Sequence, residues 1–470
     1  MAQPGPSPSP IQSYSHQDKR MRRTRVFVLA AAALCITVTS NVSAWSGHTL
    51  GTWQALAAMP ELATAQVVAE PLEVFLKAQA PRMADVLNMH ESWARESLPG
   101  YAPRPDALAF RLVADEDPAA LRARWLRAMR VSPSVKLPLF LQIKPGPAET
   151  TEAADLPWQQ VSTLPSGAGA RPHRFRAVAV GEKLRALDVV ASASNEPDYG
   201  LDIGLWDDNH GATTTGYHFG RQPFGNAAMD NSSQAPFHMG FFHESPIVFA
   251  AAGFLKRSYS EHRIHQFQAL ARQAFASGHS YWGWRFTGWA LHYVQDLTQP
   301  YHASALPGVG VLRMLGVNVL DMAGASSFKN NAITLVSNRH AVVENYAYGR
   351  MRKAYETSDA TEPLFAALRD TRTDNQHERY TSESTRKVVT AESNAAAAAL
   401  DRQLELTFPA KYTSDPSQSL GQASDQLDMF AVAQEGPQVE HKELLRQLTV
   451  LMQNFGRHSR ALVRSVLAAP

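Results

Sequence analysis

The chain has 470 residues, with 45 lysines and arginines against 43 aspartates and glutamates and a formal net charge of +2. That length can bury a sizeable core, in one large domain or in two or three smaller ones. The even charge balance removes the electrostatic case for a nucleic-acid partner, which would want a basic stripe. At 44% hydrophobic and 19% charged, the composition is that of a globular protein rather than a disordered or fibrous one.

At the N-terminus a basic segment, Lys19 to Arg25, precedes an apolar run from Val26 to Thr39. Asn41-Val42-Ser43-Ala44 then puts compact residues before a cleavage site after Ala44. The run is too short to span a bilayer comfortably. Residues 1–44 therefore read as a signal peptide, with translation starting at Met1 or Met21, and the mature protein as exported, secreted or periplasmic. The sole cysteine, Cys35, lies inside this run. A mature chain would have no disulfide and no thiolate, so a transition-metal site would use His, Asp, Glu and main-chain groups.

From Trp45 to Met59, Leu50, Trp53, Leu56 and Ala57 share one helical side, with Pro60 as the stop. Residues 66–143 alternate helical stretches, such as Asp117 to Val131, with proline breaks, and Leu137 to Leu141 suits a short strand. Pro145 to Pro172, rich in Pro, Gly, Ala and Thr, reads as a linker or long loop. A helix is expected over 180–192, a loop to His243, and further helices over 246–276, 280–298, 334–356, 384–405 and 438–467. There is no internal repeat and no strand-rich segment, so the fold class is all-α with irregular loops.

The chemistry concentrates in Trp289 to His302. His292 and Asp296, four apart in a helical run, share a face and can reach one cation together. Pro300 must end or kink that helix, and the chain then returns His302 to the same neighbourhood. His340 and Glu344 repeat the four-residue spacing. Upstream, Asp198 in Pro197-Asp198-Tyr199 and His218 in Tyr217-His218-Phe219 offer one more carboxylate and one more imidazole, although Asp202, Asp207 and Asp208 compete with Asp198. His238 and His243, in an aromatic segment, read as core histidines or supports behind the ligands. An HxxxD pair alone is common on helix surfaces, whereas HxxxDxxxPxH followed by HxxxE is far more specific. There is no GxSxG elbow, and Gly308-Val309-Gly310 lacks the third glycine of a dinucleotide loop.

These motifs resemble the bacterial zinc-dependent phospholipase C family, whose fold is shared with single-strand-specific secreted zinc nucleases. Members of that family begin, after signal removal, with a tryptophan whose amino group and carbonyl bind zinc. Cleavage after Ala44 would expose Trp45-Ser46-Gly47-His48. The resemblance covers about 45–60 and 185–408, and it implies three zinc ions. Asp198, His218, His292 and Asp296 would hold one, Trp45 and His48 a second with Asp296 bridging, and His302, His340 and Glu344 the third. Asp198 would also be the general base or water-orienting carboxylate, and Tyr199 stands where the family places a head-group aromatic.

The implied organisation is a helical domain over 45–408 with an insertion at about 64–180, followed by a C-terminal helical extension over 409–470. The implied reaction is attack of water on a phosphodiester. A phospholipid, cleaved to diacylglycerol and a phosphorylated head group, is the first choice because the last ligand pair is HxxxE, where the nucleases more often carry Asp. A secreted nuclease or 3′-nucleotidase, and a non-catalytic zinc-stabilised binding protein, are the alternatives. The apolar segment 306–320, anchored by two implied ligands, is expected either to pack into the core or to touch a membrane surface transiently.

Overall fold

The structure, a computed structural model, describes Met1, Gly5 and residues 45–146, 155–164, 173–209, 217–227, 229–310, 327–421 and 427–468. Apart from Met1 and Gly5, the expected signal peptide lies outside the described residues, as does 311–320 of the apolar segment. The described chain is mostly helical, as its hydrophobic periodicity predicts. No described helix is long and apolar enough to cross a membrane.

The principal helices are α1 (His48–Ala57), α2 (Leu72–Ser97), α3 (Pro118–Met129), α4 (Ala186–Ala193), α5 (Ala235–His238), α6 (Ser260–Ala276), α7 (Ser280–Asp296), α8 (Pro300–Ala303), α9 (Ser327–Glu356), α10 (Pro363–Arg369), α11 (Thr390–Thr407) and α12 (Gln438–Leu467). Strands β1 (Gln66–Val68), β2 (Phe140–Gln142), β3 (Phe175–Ala177) and β4 (Lys183–Arg185) form two antiparallel pairs, β1 with β4 and β2 with β3.

Helix α7 is the axis of the fold. It folds back on α6 through Ser277-Gly278-His279, where Gly278 takes φ +82°. All of its residues from Tyr281 to Asp296 are buried, as expected of a helix with neighbours on every side. Gly288 is what lets α4 come so close. A Cβ there would lie 2.5 Å from Ala193 Cβ and 2.6 Å from the Val190 carbonyl oxygen. A second tie is ionic: Arg285 on α7 grips the Glu196 carboxylate at 2.9–3.1 Å, and Trp289 Nε1 donates to the same group at 3.1 Å. The turn that follows α4 is thereby fixed against α7.

Several local readings differ from the structure. Helix α2 runs through Pro81 where a break was expected. Phe75, Leu76, Met83 and Leu87 bury one continuous face on either side of it, and that burial outweighs the lost hydrogen bond. The expected helix 180–192 divides into β4 and α4, because Lys183–Arg185 pairs with β1. The stretch 246–276 is interrupted at Ala252, φ −134°, between Pro246–Ala251 and a 3₁₀ turn at Gly253–Lys256. Residues of the expected insertion and of the expected C-terminal extension contribute to the main core. Phe75, Met83, Trp125 and Met129 from the first, and Leu448, Phe455 and Leu462 from the second, belong to one hydrophobic core with Trp45, Trp53 and Trp289. At the start of the apolar segment, Leu306 and Val309 pack against a smaller cluster of Phe224, Met239, Phe241 and Val248.

The docking of α12 has a sharp test. A Cβ at Gly456 would stand 2.2 Å from the Leu368 carbonyl oxygen of α10, a backbone atom that cannot swing aside. Gly456→Ala raises helix propensity, yet it is expected to destabilise by about 1–3 kcal/mol through overpacking. A thermal melt showing a lower melting temperature checks this, and an unchanged or higher value contradicts the packing.

Candidate metal centre

Six short stretches deliver the ligand-type side chains. His48 opens α1, and Asp198 sits in the 3₁₀ turn Glu196–Tyr199 that Arg285 secures. His238 ends α5, and His302 lies on α8. His292 and Asp296 lie one turn apart on α7, and His340 and Glu344 one turn apart on α9. All are buried apart from a narrow edge of Asp198, whose side chain is 12% exposed.

The far side of most rings is already occupied, which fixes the nitrogen that faces inward. His292 Nδ1 donates to the Ser194 carbonyl at 2.8 Å, and His302 Nδ1 to the His238 carbonyl at 2.9 Å. His48 Nδ1 meets Gln295 Oε1 at 2.9 Å, while the amide of Gln295 is held by Thr52 and by Ser459 of α12. His238 is turned the other way, with Nε2 3.4 Å from Asp202 Oδ2. Asp202 is clamped in turn by Arg263 and Tyr293. Carbonyl and carboxylate partners behind imidazoles are the usual outer arrangement of metal-binding histidines.

Facing inward, the groups fall into three sets. Asp198 Oδ1, His238 Nδ1 and His292 Nε2 form one: His292 is 3.6 Å from Asp198 and 3.0 Å from His238. His48, His292 and Asp296 form another, with His48 Nε2 3.0 Å from Asp296 Oδ1. The third is His302, His340 and Glu344, with the two Nε2 atoms 3.1 Å apart and Glu344 Oε1 2.8 Å from His340. Asp296 joins the first two sets: its Oδ1 faces His48, and its Oδ2 lies 2.9 Å from His238 and 3.5 Å from His292.

These three buried sets could each hold a metal ion. Two ligands at about 2.1 Å from a tetrahedral ion stand about 3.4 Å apart, within the observed spread. Among the described residues, His48 Nε2, Asp198 Oδ1 and both carboxylate oxygens of Asp296 are buried without a hydrogen-bond partner. They lie close to their neighbours yet are misaligned for hydrogen bonds, as lone pairs aimed at a common point would be. Native interiors rarely leave such atoms unsatisfied, so the donor set fits bound cations.

The electrostatics divide the groups: His292, His302, His340 and Asp296 are held in their ligand-competent forms, whereas Asp296 and Asp198 hold His48 above the usual imidazole range against its burial. Burial holds His292 well below the usual imidazole range and His302 and His340 at about 3, leaving neutral, ligand-ready rings. Burial alone would raise the Asp296 carboxyl, but His292, His238 and His48 around it prevail and hold it well below the usual range. For His238, burial is overcome by Asp202 and Asp296, which push it up to about 10. Asp198 is pushed up to about 7, chiefly by burial.

Three sequence expectations need correction. His218 is not in the centre: its Nδ1 pairs with Asp207 at 3.2 Å, and its carbonyl accepts from Arg130. Its place beside Asp198 and His292 belongs to His238, which the aromatic context made look like a core residue. Tyr199 does not face a ligand; its ring is enclosed by Phe140, Trp158 and Phe175, and its hydroxyl donates to Gln142 at 2.9 Å. Of the carboxylates competing with Asp198, Asp202 supports His238 from behind. Asp207 pairs with His218, and Asp208 lies near Arg221 and accepts from the Gln222 amide. His243 bonds the Arg386 carbonyl and Thr390, away from the centre. Trp45 is buried beside it, its indole donating to Thr298 at 3.0 Å while Ser46 Oγ reaches Glu344 Oε2 at 3.4 Å. Only the main chain of Trp45 remains to serve as a ligand.

Two outcomes follow for metal content. Asp296→Asn is expected to lower bound metal by more than one ion per chain, Glu344→Gln and His238→Ala by about one, and His218→Ala by none. Elemental analysis after dialysis checks this, and equal losses for Asp296→Asn and Glu344→Gln would refute the shared carboxylate. With no cation bound, His238 keeps its proton up to about pH 10 and Asp198 up to about pH 7. Metal must displace those protons, so affinity should rise with pH across neutrality and uptake should release protons. Calorimetry in two buffers of different ionisation enthalpy measures the release; a pH-independent affinity contradicts it. No protein-family model, curated protein or solved structure matches the chain.

Proposed function

We propose that the chain is an exported zinc-dependent phosphodiesterase of the phospholipase C type, with a cluster of three zinc ions. The observation that carries this reading is the Asp296 carboxylate, whose two oxygens face buried imidazoles on different sides, His48 on one and His238 with His292 on the other. The donors are imidazoles and carboxylates with no thiolate, a set that suits zinc, and clustered cations are the recurrent solution for phosphodiester hydrolysis. Zinc, when bound, would neutralise the phosphate and lower the pKa of the attacking water.

The division of labour among the residues follows from their positions. His48, His238, His292 and Asp296 are sealed from solvent and only bind. Asp198 is the ligand carboxylate with an exposed edge, and its Oδ1 is turned inward. The other side of that carboxylate is where a substrate water would be oriented and its proton accepted. The set with His48 and Asp296 has three side chains, and the main-chain amine and carbonyl of Trp45 would complete it if the mature chain starts there. Glu344, rather than an aspartate, closes the third set and favours the phospholipase over the nuclease reading.

The deciding experiment measures zinc content and hydrolysis of phosphatidylcholine and single-stranded DNA side by side. Hydrolysis of the lipid, with little on DNA, is expected. Asp198→Asn should lose activity by about a hundredfold or more, the usual size of a general-base contribution, while retaining most of its zinc. DNA hydrolysis alone would move the reading to the nuclease. Zinc binding with neither activity would leave a zinc-stabilised binding protein.

A further inference from the structure

Against the metal centre lies a cavity of about 390 Å³ that no ligand-type residue above accounts for. Its floor is Gln142 on β2, which is buried. The Gln142 carbonyl accepts from Thr49 Oγ1 and from Tyr199 hydroxyl, both at 2.9 Å. Thr49 follows His48 and Tyr199 follows Asp198, so one amide touches the neighbours of two ligands. Tyr348, one turn beyond Glu344 on α9, forms another wall. A Cβ at Gly47 would stand 3.1 Å from the Tyr348 ring, so the segment that carries His48 presses directly on that wall. All three ligand sets thus share structure with this cavity.

The charge of the lining is one-sided. Among the described residues, Lys144, Arg174 and Arg352 line it against one carboxylate, that of Glu356, with His173 beside them. Each cation has an acidic neighbour. Lys144 lies 3.8 Å from Asp188 and over the Trp53 ring, Arg174 pairs with Asp155 at 3.0 Å, and Arg352 donates to Glu356 at 2.7 Å. The two arginine pairs are exposed, and such pairs contribute little and exchange readily, whereas a phosphoryl group engages guanidinium forks with strong, charge-assisted bonds. Because the Gln142 carbonyl is spent on Thr49 and Tyr199, its amide donates to His173 Nδ1 at 3.1 Å. The His173 ring proton is then on Nε2.

Building on the phosphodiesterase reading, we propose that this cavity takes a second phosphoryl group of the substrate, so that the preferred substrate is a phosphodiester carrying a further phosphate. Whether that molecule is a phosphorylated lipid head group or a terminally phosphorylated nucleotide is left to the test, since both present the same group.

The direct probe is inorganic pyrophosphate titrated into metal-free protein by calorimetry. One site is expected, weakened at least about tenfold by Lys144→Met with Arg174→Met and kept by Lys144→Arg with Arg174→Lys. No binding, or equal binding by the methionine variant, overturns the inference. The zinc-loaded protein is then given thymidine dinucleotide with and without a 5′-phosphate, and vesicles containing phosphatidylinositol 4-phosphate or phosphatidylinositol. The pair that shows a lower KM for the added phosphate identifies the source, and that preference should fall about tenfold in the methionine variant. Equal KM within both pairs overturns the inference. Hydrolysis of the diesters without pyrophosphate binding overturns this inference alone. Pyrophosphate binding with no hydrolysis of any diester overturns the phosphodiesterase reading, and the substrate assignment with it.

Discussion

Everything in this structure turns on a carboxylate kept in its ionised form at the centre of the protein. Asp296 is fully buried, and neither of its oxygens has a hydrogen-bond partner among the described residues. Moving a carboxylate from water into a protein interior costs several kcal/mol even after relaxation, and unpaired polar atoms add to that cost. His48, His238 and His292 supply part of the compensation, and bound cations would supply the rest. The fold is arranged so that these three rings arrive from three different elements, α1, α5 and α7, around one side chain.

That arrangement requires α7 to be located without freedom. Its all-round burial fixes depth, Gly288 fixes the distance to α4, and the Arg285–Glu196 pair fixes the turn bearing Asp198. Each device lies one or two helical turns from a ligand, so the axial position of His292 and Asp296 is set by contacts that are not themselves part of the centre. Pre-positioning of this kind matters because a ligand displaced by an ångström loses most of its hold on an ion.

Periodicity explains which parts of this were legible in sequence. His292 with Asp296, and His340 with Glu344, are pairs whose shared face follows from 3.6 residues per turn, and His302 follows from the turn that Pro300 enforces. Helix α12 was equally plain, for apolar residues recur along all 30 of its positions. His238 was not legible, since it ends a four-residue helix reached through irregular chain, where spacing carries no directional information. The same lack of period made His218 look equivalent to it. Tyr199 misled for a related reason: adjacent residues in a 3₁₀ turn point apart, so an inward Asp198 sends Tyr199 into the aromatic cluster behind. How 64–180 and 409–470 share the core could not be read from spacing, because a core is defined by contacts distant in sequence.

Those distant contacts give the C-terminal helix a role beyond packing. Ser459 on α12 accepts from the Gln295 amide, and Gln295 in turn holds His48 Nδ1. Arg460, the next residue, is buried and bonds Asp374 as well as the carbonyls of Ala55 and Leu368. Ala55 belongs to α1, the helix that begins at His48. Helix α12 therefore grips the His48 element at both ends: once through its imidazole by way of Gln295, and once through its last turn by way of Arg460. The C-terminal helix is, in physical terms, the outer support of the metal-facing His48.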